Sequence, residues 1–444
     1  MDARCSQRHP EHLRLVASRW TEALEASGFE AVVVWAGRPR FHLFDDLAPS
    51  FRPNPHFTLW FPERHCEGAA LLFTPGSRPA LYFHSPADYW HQPAQAPDWA
   101  AERYELRTFK EAEDLEAAVG QALRNHRRVA FIGESPPDGW AVEANPAPLI
   151  RRLHHQRARK TGFEVACQER ATEHGVRGHI AAREAYRANG SEFDILGAFL
   201  TGSGQTEAEA PYPCIIGRNE HAAVLHYQNY DRSPPADDHG FLIDAGASHM
   251  GYGSDISRTW PGRDATAFAE LIAALDEQQR ALIETIRPGL NYLDLHLAMH
   301  RRIGELLSRF ELVRCSDDAA YELGLTRTFM PHGLGHLLGV QTHDVGGWQT
   351  TPEGGETPPP DAHATLRLTR TIEADMVFTI EPGLYFIPML LSRLRQAAGA
   401  REVNWPLVET MTPWGGARIE DNVLVMEDGV RNLTREAFAA LDPS

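Results

Sequence analysis

An α/β domain over residues 1–157, followed by a larger domain of helices and short apolar strands over residues 158–444, is the architecture the sequence predicts. Three observations point to it. The chain has 444 residues, more than one ordinary core serves. Before residue 157, short strand-like runs alternate with helical stretches, the pattern of a layered α/β fold. The basic segment Arg151–Lys160 reads as a linker between the two parts.

Glu11–Ser27 sets Leu13, Val16, Trp20 and Leu24 on one stripe and stops at Gly28, as an amphipathic helix does. Ala31–Trp35, Ala69–Thr74, Ala80–Phe83 and Val129–Ile132 are short apolar runs of strand type, with a helical stretch, Glu111–Leu123, before the last. Phe41–Trp60 and His84–Trp99, rich in Pro, His, Asp and aromatics, read as loops of packing or interface type. No glycine-rich phosphate loop interrupts this half. Beyond the linker, Phe163–Ala188 carries a long helical pattern ending before Asn189-Gly190, and Ser191 is placed to cap another helix. Gly240–Ile243 is an apolar strand leading into Asp244. Helices follow around Thr266–Ile286 and Tyr292–Leu307, with Pro288-Gly289 between them. Thr351–Thr365 is a loop long enough to have a function of its own. Met376–Ile380 and Ile419–Val425 read as strands with Glu381 and Glu420 at an end or edge.

Composition narrows the function. Hydrophobic content of 43% and charged content of 23% describe an ordinary globular protein. A net charge of -17 argues against nucleic acid or an anionic membrane as the main partner. The five cysteines are scattered without a CxxC, which suits free thiols in a reducing cytosol. The N-terminal residues lack a signal-peptide pattern, and no apolar run reaches the ~20 residues of a membrane span. A cytoplasmic protein is expected.

The chemistry is concentrated in a few carboxylates and histidines. In Met330–Asp344, His332, His336 and His343 stand among glycines and apolar residues, where a buried imidazole needs a partner. His332 and His336 are four apart, as in a zinc-protease helix. However, no glutamate follows the first, and Gly333 and Gly335 each disfavour helix by roughly 1 kcal/mol. An irregular or extended segment is expected, with glycines letting the backbone pass close to something. Asp244 follows an apolar strand, and Asp255 lies eleven residues later across glycines 246, 251 and 253, the marks of a tight hairpin. Facing carboxylates require a proton or a cation between them. Glu381 and Glu420 end or begin two further apolar runs.

A paired-metal site explains all five positions together. Four carboxylates carry about −4, which two divalent ions balance, and oxygen-rich ligation with one imidazole suits Mn²⁺ better than the sulfur-rich sites of structural zinc. Two such ions ~3.5–4 Å apart can share a hydroxide that attacks a carbonyl, so hydrolysis is expected.

The contexts DAG-x8-D, HGLGHxxGxxxHD, TIEPGLYF and GGxRIED, in the order Asp…Asp…His…Glu…Glu, resemble the pita-bread metallopeptidases, which include methionine aminopeptidase, aminopeptidase P and prolidase. The N-terminal half resembles the creatinase-like domain of aminopeptidase P and prolidase. The stretches KTGFEVACQERA, SEFDI, HAAVLHY and LRLTR extend the similarity to the bacterial prolidases, with which the organophosphorus acid anhydrolases are grouped. The resemblance implies a creatinase-like α/β domain and an α+β pita-bread catalytic domain. It implies an Xaa-Pro dipeptidase activity with two divalent metals, side activity on organophosphate triesters, and a homodimer. Its alternatives are an aminopeptidase P acting on longer peptides and a pita-bread binding module without chemistry.

Position by position, the resemblance makes Asp244, Asp255, His336, Glu381 and Glu420 the metal ligands, with Asp255 and Glu420 bridging. His343 and His226 match catalytic histidines, and Glu381 the residue that relays a proton. His221 is the rival of His226. Arg367, Tyr212, Tyr292, His332 and Arg418 match substrate-binding positions: Arg367 takes the C-terminal carboxylate, a task suited to a bidentate guanidinium, and Arg418 orients the bridging glutamate. Leu366 matches a further pocket-lining position. Asp45 and Trp90 fall in N-terminal loops that in relatives close the pocket.

Overall fold

The computed structural model describes residues 1–442. They fall into two compact units: residues 1–157 with 161–166 and 351–355, and residues 158–160, 167–350 and 356 onward.

The first unit is built on one mixed sheet. Its strands are β1 (Ala31–Trp35), β2 (Ala70–Phe73), β3 (Ala80–His84), β4 (Glu105–Phe109), β5 (Val129–Ile132) and β6 (Glu143–Ala144), in the order β4-β3-β2-β1-β5-β6. All five residues of β1 are buried, and strand periodicity divides them. Val32 and Val34 join one core with Val16, Trp20 and Leu24 of the helix Ala3–Ser27. Ala31, Val33 and Trp35 join the other with Leu115, Val119 and Leu123 of the helix Ala112–Leu123. Helices therefore cover both faces.

Two expectations are corrected here. The first helix begins at Ala3 and runs through Pro10, with Asp2 capping the Cys5 N–H at 2.9 Å. Pro10 lies inside this helix, and Cys5, His9 and His12 on the same stretch are buried. The segment read as a linker is mostly the helix Ala147–Arg157, whose Leu149 and Leu153 enter the first core. Its basic composition masked an i, i+4 apolar pair. The edge strand β4, without buried residues, was not foreseen; a short helix at Pro55–Trp60 lies in a stretch read as a loop, and the helix Asp98–Arg103 begins in the last two residues of another.

The described residues of the second unit carry four strand systems. The strands β7 (Ile215–Arg218), β8 (Gly240–Asp244), β9 (Ser248–His249), β10 (Tyr252–Gly253) and β11 (Ser257–Pro261) make an antiparallel sheet β11-β8-β7 and a small hairpin β9-β10. That hairpin turns at Met250 and Gly251, both with positive φ (52° and 79°), the two-residue turn whose twist matches paired strands. Farther on, β12 (Val377–Ile380), β13 (Gly383–Tyr385), β14 (Gly416–Arg418), β15 (Asp421–Met426) and β16 (Gly429–Asn432) form the sheet β12-β15-β16 and the pair β13-β14. The helices Thr266–Ile283 and Tyr292–Arg309 pack Phe268, Leu271, Met299 and Ile303 into one core with Phe378, Ile380 and Val423 of β12 and β15. Ser191 caps the helix Glu192–Ser203 through a capping box with Asp194, as its position in the sequence suggests.

The long helix Gly162–Arg187 buries His179, whose Nε2–H donates to the Ala245 carbonyl at 2.9 Å beside Asp244. Burial drives this imidazole from its ordinary 6.5 down to about 3. Its folded pKa lies below its unfolded one, so it contributes stability that is complete above pH 6.5 and is lost as pH falls toward 3. The expected slope is on the order of 1.4 kcal/mol per pH unit. The urea midpoint should therefore drop between pH 6.5 and 5, and His179→Gln should flatten that dependence. An unchanged slope in this variant would contradict it.

Candidate metal centre

Strand pairing carries the five candidate ligands to one place. In the β8–β11 ladder Asp244 stands opposite Ser257, and Ser257 bridges on its other side to Glu420. Glu420 precedes β15, whose Asp421 pairs with Ile380 at the end of β12, so Glu381 emerges alongside. The histidine segment is irregular and laid along β12, through a bridge between Leu337 and Phe378 and a hydrogen bond from the Thr379 N–H to the His336 carbonyl at 3.0 Å. Here the role of Gly335 becomes plain. A Cβ at this position would stand 2.1 Å from the Thr379 carbonyl oxygen and 2.3 Å from the Tyr292 hydroxyl. Only glycine lets the segment lie this close.

Asp255, His336 and Glu420 offer ligand atoms within 4.8 Å of one another, all buried. His336 Nε2 lies 3.3 Å from Asp255 Oδ2 and 3.6 Å from Glu381 Oε1. Its Nδ1–H donates to the Leu337 carbonyl at 3.0 Å, which leaves the Nε2 lone pair aimed among the carboxylates. Asp244 and Asp255 share the Tyr212 hydroxyl, at 2.8 and 2.5 Å. The hairpin does bring the two aspartates together.

Their electrostatics call for a cation. Burial is the first cause that raises the carboxyls of Asp244, Glu381 and Glu420, Glu381 to about 7, and the charge of Asp255 adds to each. Burial presses His336 down, yet Asp255 and Glu381 beside it leave it raised. Arg418 is the guanidinium that reaches this group, bonding Asp244 at 2.8 Å. One guanidinium does not balance four carboxylates. An oxygen-rich donor set with one imidazole lone pair fits divalent metal ions of the Mn²⁺ type.

The other candidates separate into those near the surface of this centre and those beneath it. His343 packs edge-on against His336, ring centroids 4.4 Å apart, and burial, His336 and Arg367 lower it to about 4, so it is neutral at pH 7. Arg367 is exposed, with no hydrogen bond or ion pair to a described residue. His226 is exposed and near enough for its charge to act on His332 and His343. His221, its rival, is committed elsewhere: its Nδ1 lies 2.8 Å from Glu192 and its ring stacks on Tyr227. His332 receives the Tyr385 hydroxyl on Nε2 at 2.9 Å and donates from Nδ1 to the Gly333 carbonyl at 2.8 Å.

Three positions grouped with substrate binding lie buried in this structure. Tyr292 is 0% exposed, bonds the Thr379 carbonyl at 2.8 Å and braces the core under Glu381. Leu366, likewise fully buried, belongs to the same core. Arg418, 4% exposed, spends its donors on Asp244, on Ser257 Oγ at 2.9 Å and on the Tyr385 hydroxyl at 2.8 Å. It reaches Glu420 only through Ser257, whose hydroxyl donates to Glu420 Oε2 at 2.7 Å.

Residues 156–427 match Metallopeptidase family M24, and residues 7–155 match the N-terminal domain of Xaa-Pro dipeptidase. The chain belongs to family M24. Its relatives include the Xaa-Pro dipeptidase of Stenotrophomonas maltophilia, 42% identical with 97% of each chain covered. Xaa-Pro dipeptidase 2 of Idiomarina loihiensis is 40% identical, with 98% of this chain and 99% of the relative covered. Among solved structures, aminopeptidase P from E. coli in its low-pH form superposes with a TM-score of 0.74 at 22% identity, covering 98% of this chain and 96% of the other. That likeness shows the fold: an N-terminal domain of the dipeptidase type and a pita-bread catalytic domain. The protein is a metal-dependent peptidase by family.

Sequence reading passed over several residues on which this M24 centre depends. Ser257 and Tyr385 are hydroxyl relays among Arg418, Glu420 and His332. Thr379 donates to Glu381 Oε1 at 3.2 Å and accepts the His336 N–H at 3.1 Å. Glu192 accepts from the N–H groups of Arg218 (2.8 Å) and Asp231 (2.7 Å), besides meeting His221, and so anchors the loop that carries His226. Lys160 and Asp344 form an ion pair at 2.7 Å with side chains 0% and 1% exposed, directly after His343. Thr379 and Tyr385 stand in TIEPGLYF, Asp344 in the HD of the histidine segment, Lys160 in KTGFEVACQERA and Glu192 in SEFDI, whereas nothing quoted from the sequence singled out Ser257.

Proposed function

We propose that this metallopeptidase hydrolyses Xaa-Pro dipeptides with two divalent ions, Mn²⁺ in the first instance, held by Asp244, Asp255, His336, Glu381 and Glu420. The observation that carries the reading is the gathering of two buried and two half-buried carboxylates around one imidazole lone pair, beside an exposed arginine without a carboxylate partner among the described residues. Its relatives of 40–42% identity over nearly the whole chain, named Xaa-Pro dipeptidase, support the substrate class.

When bound, the ions make water acidic enough to attack at neutral pH and polarise the scissile carbonyl. The chain's residues do the rest. Asp244, Asp255, His336, Glu381 and Glu420 would hold the ions, and Arg418 with Ser257 holds Asp244 and Glu420 in place. Glu381, whose carboxyl titrates near neutrality without metal, takes the water's proton and returns it to the departing proline nitrogen. That nitrogen has no hydrogen in the substrate, so a site relying on an N–H contact could not read it. His343 is neutral and donates to the developing oxyanion. His226 stands at the proline end. Arg367 pairs with the free C-terminal carboxylate and so favours dipeptides.

The reading includes a cytoplasmic homodimer. Five free cysteines suit the compartment. Phe41, Leu43, Phe44, Leu47, Tyr89 and Trp90, all largely exposed, suit a subunit contact. No described helix is long and apolar enough to cross a membrane.

The test is Mn²⁺-dependent hydrolysis of Leu-Pro beside a Leu-Pro-Xaa tripeptide and a phosphotriester, with and without chelator. Chelator-sensitive cleavage of the dipeptide in preference to the others is expected. Faster cleavage of the tripeptide would move the chain to aminopeptidase P, and no peptide cleavage would overturn the substrate class. Losing the charge-assisted pair in Arg367→Ala should raise KM for Leu-Pro about 10- to 100-fold, with kcat little changed. An unaltered KM would remove Arg367 from this role.

A further inference from the structure

Behind the metal centre, the helix Tyr292–Arg309 directs His296 and His300 toward His363 of the short turn Asp361–His363. The three ring centroids stand 4.6, 4.6 and 4.8 Å apart, and each ring offers a nitrogen within 4.8 Å of the others. Spacing alone would suit a divalent ion. The hydrogen bonds point elsewhere. The Leu334 backbone N–H can only donate, and it donates to His296 Nδ1 at 3.2 Å. That nitrogen holds a lone pair, so the proton of the neutral ring sits on Nε2, 2.8 Å from His363 Nδ1. Burial keeps the ring neutral, its pKa lowered to about 2. A protonated Nε2 has no lone pair for a metal.

Both bonds lead to the site. The Leu334 carbonyl accepts the Glu381 N–H at 2.8 Å, and the His363 carbonyl accepts the Leu366 N–H at 2.9 Å, one residue before Arg367. We infer that His296 is a positioning residue that joins two halves of the active site. Its Nδ1 fixes the segment holding Glu381, and its Nε2–H fixes the strap presenting Arg367. The second half rests on the substrate reading given above.

Asparagine and glutamine separate the two bonds, because their amides fall near the Nδ1 and Nε2 positions of histidine respectively. His296→Asn keeps an acceptor for Leu334 and loses the donor to His363. Its expected effect is a roughly tenfold rise in KM for Leu-Pro with kcat and Mn²⁺ affinity retained, the loss of one hydrogen bond. Amide hydrogen exchange should quicken across Leu366–Thr369 and not at Leu334. His363→Ala should copy it. His296→Gln should do the reverse: faster exchange at Leu334 and Glu381, weaker Mn²⁺ binding and lower kcat, with KM held. Identical exchange patterns in the two variants would overturn the inference. So would an extra bound metal in the wild type that His300→Ala removes. Exchange is read without substrate, so a failure of the dipeptidase reading would show in turnover alone.

Discussion

On the proposed paired-metal reading, Glu420→Gln and Asp255→Asn are each expected to lower kcat for Leu-Pro by more than about 10³-fold, because paired ions would contribute several kcal/mol that a neutral amide does not retain. The variants should also fail to bind metal with the stoichiometry of the wild type. A folding defect would mimic the loss of activity, but the electrostatics separate the two. Glu420 is buried, and Asp255, Glu381 and Asp244 all push its carboxyl up, so without metal the crowded charges destabilise the fold. Neutralising one of them while keeping its shape and its acceptor for Ser257 should leave the metal-free Tm equal or higher. Metal should then raise the Tm of the wild type and not that of the variant. Full activity in either variant contradicts the paired site.

Lys160→Met is expected to destabilise the chain by about 3–5 kcal/mol, the cost of removing one member of a buried ion pair. Asp344 would then be left in a site 1% exposed, 2.7 Å from where the ammonium stood. Its neighbour His343 would lose its support, since Asp344 also joins its N–H to the Leu337 carbonyl at 2.8 Å. Replacing both partners, Lys160→Met with Asp344→Leu, should recover most of the stability, because two apolar groups need no pairing. Urea unfolding of the single and double variants measures this, and a loss below ~1 kcal/mol in Lys160→Met would mean that the pair is not holding the segment.

These two sites differ sharply in how visible they were beforehand. Asp244, Asp255, His336, Glu381 and Glu420 stood out because charged groups at the ends of apolar strands are costly unless something pairs them. The glycine pattern around them also encodes local turns, which sequence reveals directly. Lys160 sat in a segment whose basic composition suggested a linker, and nothing local to it announces that Asp344, 184 residues away, is its partner. Ser257 and Tyr385 were hidden for the same reason. Their roles come from cross-strand registers, Asp244 against Ser257 and Ser257 against Glu420, which are set by packing at long range. Tyr212 and Tyr292 carry the same side chain and were read alike. Burial alone parts them: one phenol lies between two aspartates, and the other is sealed under β12.

The most direct test of the central claim is the Mn²⁺ stoichiometry of the purified chain, followed by Leu-Pro turnover at each degree of loading. Two ions per chain, with turnover appearing as the pair fills and vanishing with chelator, is the predicted result. Full turnover with one ion per chain, or with none, would contradict a site built from these four carboxylates and His336.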